Sequence, residues 1–290
     1  MKVRLLILSL IGLSLFNAAQ GQLLWKISLK GLSGESYLFG THHLIDKDMI
    51  PHIDTILTIS SHTDAIVGEM DMNLPGMQGK LMKASLLKGT NMKKLVSAED
   101  YQLLDREFKS LLGMGMKLLG IYKPMMLVTM HQVGMYIRST GKIKQPVSVD
   151  ELLQKQARQA KKRVVGLETP DFQMKVLFNS IPLERQVEIL MYEIREKERV
   201  VSDLKQLNEA YTAGDLETMG ALDIEDASMN PEERKLLVDD RNAEWLKQLP
   251  ELIRKQSCFI AVGCLHLVGP KGLIDQLRTM GYTVEPVAFQ

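Results

Sequence analysis

The chain has 290 residues, 45% hydrophobic and 24% charged, with 36 Lys and Arg against 35 Asp and Glu. These are ordinary globular proportions, which exclude collagen-like, coiled-coil and wholly disordered chains. A formal charge of +1 offers no basic excess for gripping nucleic acid, and 18 Met beside 6% aromatics suit a soft apolar core.

The first 21 residues differ from the rest. Lys2 and Arg4 precede an almost wholly apolar run over 5–16, and small or polar residues follow over 17–21 (NAAQG). This is the layout of a secretory signal peptide, with cleavage before Gln20 or Gln22. The run is shorter than the roughly 20 residues that span a bilayer, and membrane contact is expected only through this segment where it stays uncleaved. An exported protein, periplasmic or secreted, follows. Removing the segment takes away Lys2 and Arg4 and no acid, so the balance turns slightly negative.

Two strands are expected over 23–30 (LLWKISLK) and 35–42 (ESYLFGTH), joined as an antiparallel hairpin by Gly31, Leu32, Ser33 and Gly34. A helix follows over 48–60, and 64–70 (DAIVGEM) reads as a buried strand. From 74 to about 256 the pattern is mostly helical, with helices over 76–87, 98–112, 124–136, 150–160, 183–213 and 231–249. A β-rich run, 163–167 (RVVGL), interrupts it, and Pro170 after Glu168 and Thr169 marks a helix start. The tail returns to strand (258–267), helix (272–280) and strand (283–288). Cys258 and Cys264 lie on one expected strand, roughly 20 Å apart in extended chain, too far for a disulfide. The expectation is an α/β (α+β) fold over 22–290 as a single domain. Its mixed sheet is built from N- and C-terminal strands, with a large helical insertion at about 74–256.

Three apolar strands end in residues able to do chemistry. Two end in Gly-x-x-His, namely Gly40 to His43 and Gly263 to His266, and the third ends in Glu69 after Gly68. In α/β sheets ligands gather at the carboxyl ends of strands, and Gly allows a bend or a close approach there. Two imidazoles and a carboxylate make an open site for a divalent metal, which lowers the pKa of a bound water. Glu69 would be either the third ligand or the base that takes the water proton. Taken singly, each of these residues more often serves as a hydrogen-bonding or capping group. His42 adjoins His43 and faces the other side of a strand. His131 reads as a packed or helix-surface residue, and His52 and His62 as exposed. No HExxH, GxSxG, P-loop, GxGxxG or CxxC pattern is present.

At these residues the chain resembles the TraB/PrgY/GumN family, which includes the Tiki proteins. The resemblance runs over about 23–288 and includes SYLFGTHH (36–43), SVDELL (148–153), VVGLETPDFQ (164–173), RNAEWL (241–246) and the stretch 259–287. It implies a metal-dependent hydrolase, a peptidase-like enzyme acting on peptides or small secreted substrates. His43, Glu69 and His266 are then the metal and catalytic candidates, with Mn²⁺, Co²⁺ or Zn²⁺ all compatible with such N/O donors. Arg241 matches the family's basic residue, suited to a substrate carboxylate or an oxyanion. Asp150 and Glu168 also match family positions, and they and His42, a variation at the free position of the first motif, are candidates for substrate contact or support of the site. Two other readings stand beside this one: a non-catalytic extracytoplasmic protein that sequesters a peptide, signal or haem-like ligand, and an esterase of similar fold. Oligomeric state is not legible.

Overall fold

A computed structural model describes residues 22–32, 34–43, 45–141 and 148–289. The expected leader over 1–21 lies outside the described residues. The fold is a six-stranded mixed sheet with helices around it: β1 (Leu24–Ser28), β2 (Ser36–Thr41), β3 (Ala65–Met70), β4 (Arg163–Glu168), β5 (Cys258–Gly263) and β6 (Thr283–Pro286). Their spatial order is β4-β3-β5-β2-β1-β6. The β1–β2 hairpin is antiparallel, as the Gly-flanked turn implied. Parallel pairing runs through β2–β5, β5–β3 and β3–β4, and β6 closes antiparallel on β1.

The middle strands are buried on both faces, which is why AIVG and CFIAV read as unbroken apolar runs. Their side chains join one hydrophobic cluster that includes Ile27, Phe39, Val67, Phe259, Val262, Trp245 and Leu277. A second cluster sits within the helices and is centred on Leu104, Phe108, Leu127 and Leu190. Helices Pro124–Thr140 and Leu183–Arg195 pack together there. Local chemistry sets the helix ends: Ser97, Ser148 and Thr169 each accept a backbone N–H at an N-terminus.

Several elements differ from expectation. The strand expected over 258–267 stops at Gly263, and a 3₁₀ turn, Cys264–His266, follows. Both cysteines are free and buried. The helix expected over 48–60 is split into the 3₁₀ turn Lys47–Met49 and the helix Ile53–Ser61. The long helix expected over 183–213 breaks at Glu196 (φ −100°, ψ 26°) into Leu183–Arg195 and Lys197–Ala213. The first half buries Ile189, Leu190 and Ile194 in the helical cluster, whereas the second buries Ala210 and Tyr211 against the sheet. One straight apolar stripe cannot serve both, and the break re-aims the chain. The helix expected over 231–249 is present from Pro231 to Trp245 with a π turn, Lys235–Asp239, inside it, and the helix Leu249–Lys255 follows after a turn over 246–248. Within the helical insertion, β4 returns to the sheet as its edge strand.

Candidate functional site

Four parallel strands deliver candidate side chains to one edge of the sheet. β2 leads to His43, β3 carries Glu69, β4 ends on Glu168 and β5 leads to His266. The two Gly-x-x-His motifs lie side by side, because Gly40 pairs with Val262 and Thr41 with Gly263. Close approach explains the first glycine: a Cβ on Gly40 would come within 3.1 Å of the Cys264 backbone. At Gly263 the backbone N–H donates to Glu69 Oε1 at 3.0 Å.

Arg241 ties the edge together. Its Nε and Nη2 donate to the two oxygens of Glu168 at 2.7 and 2.9 Å, a bidentate pair. Nη2 also donates to Glu69 Oε2 at 2.6 Å. Nη1 donates to the Leu237 carbonyl and to His266 Nε2, both at 3.2 Å. The five N–H groups of a guanidinium are thus all engaged, and none is left over for a substrate oxygen in this arrangement. The π turn Lys235–Asp239 immediately before Arg241 contains that Leu237 carbonyl, a local widening of the kind often found at functional sites.

His266 is 5% exposed and is held from both sides. Its Nδ1 lies 2.8 Å from Asn242 Oδ1, while Asn242 Nδ2 donates to the carbonyls of His266 and Lys271, each at 3.0 Å. Those two carbonyls fix which end of the amide is which, so Oδ1 faces the ring and Nδ1 carries the proton. Nε2 is left as a lone pair, facing Arg241 and lying 3.8 Å from Glu69 Oε1. The Trp245 ring lies 4.3 Å from the imidazole, and its indole N–H donates to Glu168 Oε1 at 3.0 Å. Burial pushes His266 down to about 4, with Glu69 opposing and Arg241 and His43 reinforcing the shift, so the ring is neutral. Burial alone would raise Glu69; Arg241, His266, His43 and the Gly263 N–H outweigh it and hold the carboxyl down to about 2.

His43 stands at the open side, its side chain 62% exposed. Asp150 Oδ2 lies 3.3 Å from its Nδ1, and Thr41 Oγ1 donates to Asp150 Oδ1 at 2.9 Å. The Asp150 carboxylate raises His43 to about 9 against the opposing effect of desolvation. His42 points elsewhere, edge-on to Tyr211 with ring centroids 5.3 Å apart. Its pKa falls to about 4, through burial first and then His43. His131 is fully buried, between Glu193 at 3.2 Å and Glu107 at 3.5 Å, far along the chain in the helical cluster. His52 and His62 are exposed.

The site therefore joins Glu69, Glu168, Arg241 and His266 in one hydrogen-bonded network, with the His43–Asp150 pair beside it. Sequence reasoning did not single out Asn242, Trp245 or Gln173, whose Nε2 donates to Glu69 Oε2 at 3.0 Å. The signal for one of them was present: Trp245 follows Arg241 at i+4 on the helix Asp240–Trp245. As donors, two imidazoles and a carboxylate suit a divalent ion, and a neutral His266 with an unprotonated Nε2 fits that use. Among the described residues no three His, Cys, Asp or Glu side chains converge closely enough to hold one ion. Arg241 already takes the Nε2 lone pair and Glu69 Oε2.

The model of the TraB/PrgY/gumN family matches residues 23–286, nearly the whole chain. No curated protein and no solved structure matches it.

Proposed function

The chain belongs to the TraB/PrgY/gumN family, and from that premise we propose an exported, metal-dependent hydrolase, a peptidase acting on a peptide or small secreted substrate. The observation that supports the reading is that β2, β5 and β3 are adjacent and parallel, so that His43, His266 and Glu69 lie at the same end of the sheet, with His266 3.8 Å from Glu69. His43, His266 and Glu69 would hold Mn²⁺, Co²⁺ or Zn²⁺, whose chemistry there is to make hydroxide available near neutral pH and to polarise a carbonyl. Asn242 keeps the Nε2 of His266 free of its proton, whereas His43, which Asp150 orients and holds protonated near neutrality, gives up a proton to bind an ion. Glu69 is ionised, and it either ligates the ion or takes the water proton. Arg241 organises the edge through Glu69 and Glu168; binding an ion at His266 and Glu69 requires its contacts on Nε2 and Oε2 to open.

The test is metal analysis of the purified protein, followed by a peptide-library digest with and without chelator. Cleavage should stop with chelator and return with added ion. His43→Ala and His266→Ala should lose both ion and turnover with circular dichroism unchanged. Wild-type-level turnover in either variant, or cleavage indifferent to chelator, removes the metal reading. One observation favours a second reading, a non-catalytic binding protein: Arg241 already occupies the acceptor atoms of Glu69 and His266. No cleavage with any ion, together with tight retention of a peptide, would select it. Turnover of esters and not of peptides would point to an esterase.

A further inference from the structure

Exposed aliphatic residues and unpaired lysines share one region of the surface. The helix Met77–Ser85, the loop after it, the short helices Met92–Leu95 and Met116–Leu119 and the end of the helix Pro170–Asn179 are all neighbours. Lys123 N donates to the Ser85 carbonyl at 2.8 Å, Leu87 N to the Ile121 carbonyl at 2.8 Å, and Met92 N to the Gly120 carbonyl at 2.8 Å. Tyr122 Oη lies 3.6 Å from Met82 Sδ, and Lys123 Nζ donates to Asn179 Oδ1. Around this junction Met82 is 50% exposed, Leu118 63% and Ile121 52%, with Leu81 and Leu177 also exposed.

Lysines outnumber acids in the same region, where Asp171 and Asp105 are each paired with a lysine. Residues 72–98 contain Lys80, Lys83, Lys88, Lys93 and Lys94 and no Asp or Glu, in a chain whose overall charge is only +1. Lys80 pairs with Asp171. Lys83, Lys88, Lys93, Lys94 and Lys117 are exposed and have no carboxylate partner among the described residues. Protein–protein interfaces are depleted in Lys and enriched in Trp, Tyr and Arg. Long aliphatic side chains bordered by Lys suit the boundary between lipid acyl chains and negative headgroups, where lysine stems lie along the apolar layer and their ammonium groups reach the phosphates.

We propose that this face docks on the surface of an anionic lipid bilayer. This membrane contact is separate from the N-terminal apolar segment and independent of the hydrolase reading. The helix Pro170–Asn179 also carries Gln173, which donates to Glu69, so docking here sets the candidate site beside the lipid surface. Cys258 and Cys264 are buried, which allows a single exposed thiol to be introduced into the full chain. Leu118→Cys is labelled with an environment-sensitive dye. Ile224→Cys, at a position 73% exposed on the helix Leu216–Glu225, serves as the reference.

Vesicles of phosphatidylcholine alone are compared with vesicles that also contain phosphatidylglycerol. The dye at 118 should shift to the blue on the anionic vesicles and little on the neutral ones. The half-saturating lipid concentration should rise several-fold with added salt or with Lys83→Glu and Lys88→Glu together. The dye at 224 should stay unchanged. A silent dye at 118, an equal shift at 224, or a response untouched by charge reversal overturns the proposal. A shift produced by polyglutamate and not by vesicles also overturns it, in favour of an acidic protein partner.

Discussion

Asn242 shows how one neutral side chain decides the chemistry of another. Its amide nitrogen is committed to the carbonyls of His266 and Lys271, which leaves only its oxygen for the imidazole. Asn242→Leu keeps the size and removes the choice. Nitrogen NMR of imidazole-labelled protein should show His266 protonated at Nδ1 in the wild type, and in the variant the Nδ1–H resonance should move as it loses its acceptor, with Arg241 still facing Nε2. Urea denaturation should show a loss of about 1–3 kcal/mol, because two buried carbonyls lose their donor. A proton found on Nε2 in the wild type, or an Nδ1–H resonance unmoved in a folded variant, would sink the assignment. His43, Glu69 and His266 were legible because each closes an apolar run after a glycine. Asn242 and Gln173 were not, because they meet their partners across 24 and 104 residues of chain, and their own neighbourhoods look like ordinary helix.

At the scale of elements, glycines divide by what surrounds them. Gly166 in β4 lies so close to the segment after β3 that a Cβ would fall 2.7 Å from the Asp71 backbone nitrogen. Gly79, inside the helix Met77–Ser85, has nothing within 4 Å of that position. Gly166→Ala should cost about 1–3 kcal/mol by overpacking. Gly79→Ala should gain about 0.5–1 kcal/mol by removing backbone freedom from the unfolded chain. Chemical denaturation of both variants checks the pair, and equal effects would mean that the approach of Asp71 imposes nothing. The strands were readable because burial on both faces writes a continuous apolar run. The break at Glu196 was not, because it answers to which cluster each half-helix meets. Periodicity reports a helix's apolar face, not the neighbour waiting for it.

Across the whole molecule, paired carboxylates set the response to acid. Arg185 donates to both oxygens of Glu233, at 2.7 and 3.1 Å, and links the helix Leu183–Arg195 to Pro231–Arg234. Arg185 first, then the Asn230 N–H, hold the Glu233 carboxyl below its ordinary range against burial. A carboxyl lowered in the folded state contributes its stability fully above the unfolded value, roughly 4.3. It loses that contribution as pH falls through the lower folded value. The gap in urea midpoint between wild type and Glu233→Gln should therefore be widest near neutrality and close as the pH drops through the lower carboxylate range. A gap that stays constant with pH would show that the pair contributes nothing through its charge.

The strand order also governs when the molecule can begin to work. β1 lies between β2 and β6, and β5 lies between β2 and β3, so the first and last segments synthesised interlock. His43 and Glu69 are made well before Arg241, Asn242 and His266. A nascent chain that has reached only β4 holds part of the hydrogen-bonded network and not the whole of it. Removing β6 would leave β1 paired with β2 alone and make β1 the edge of the sheet. The complete network belongs only to a chain made past β5, a timer written into connectivity.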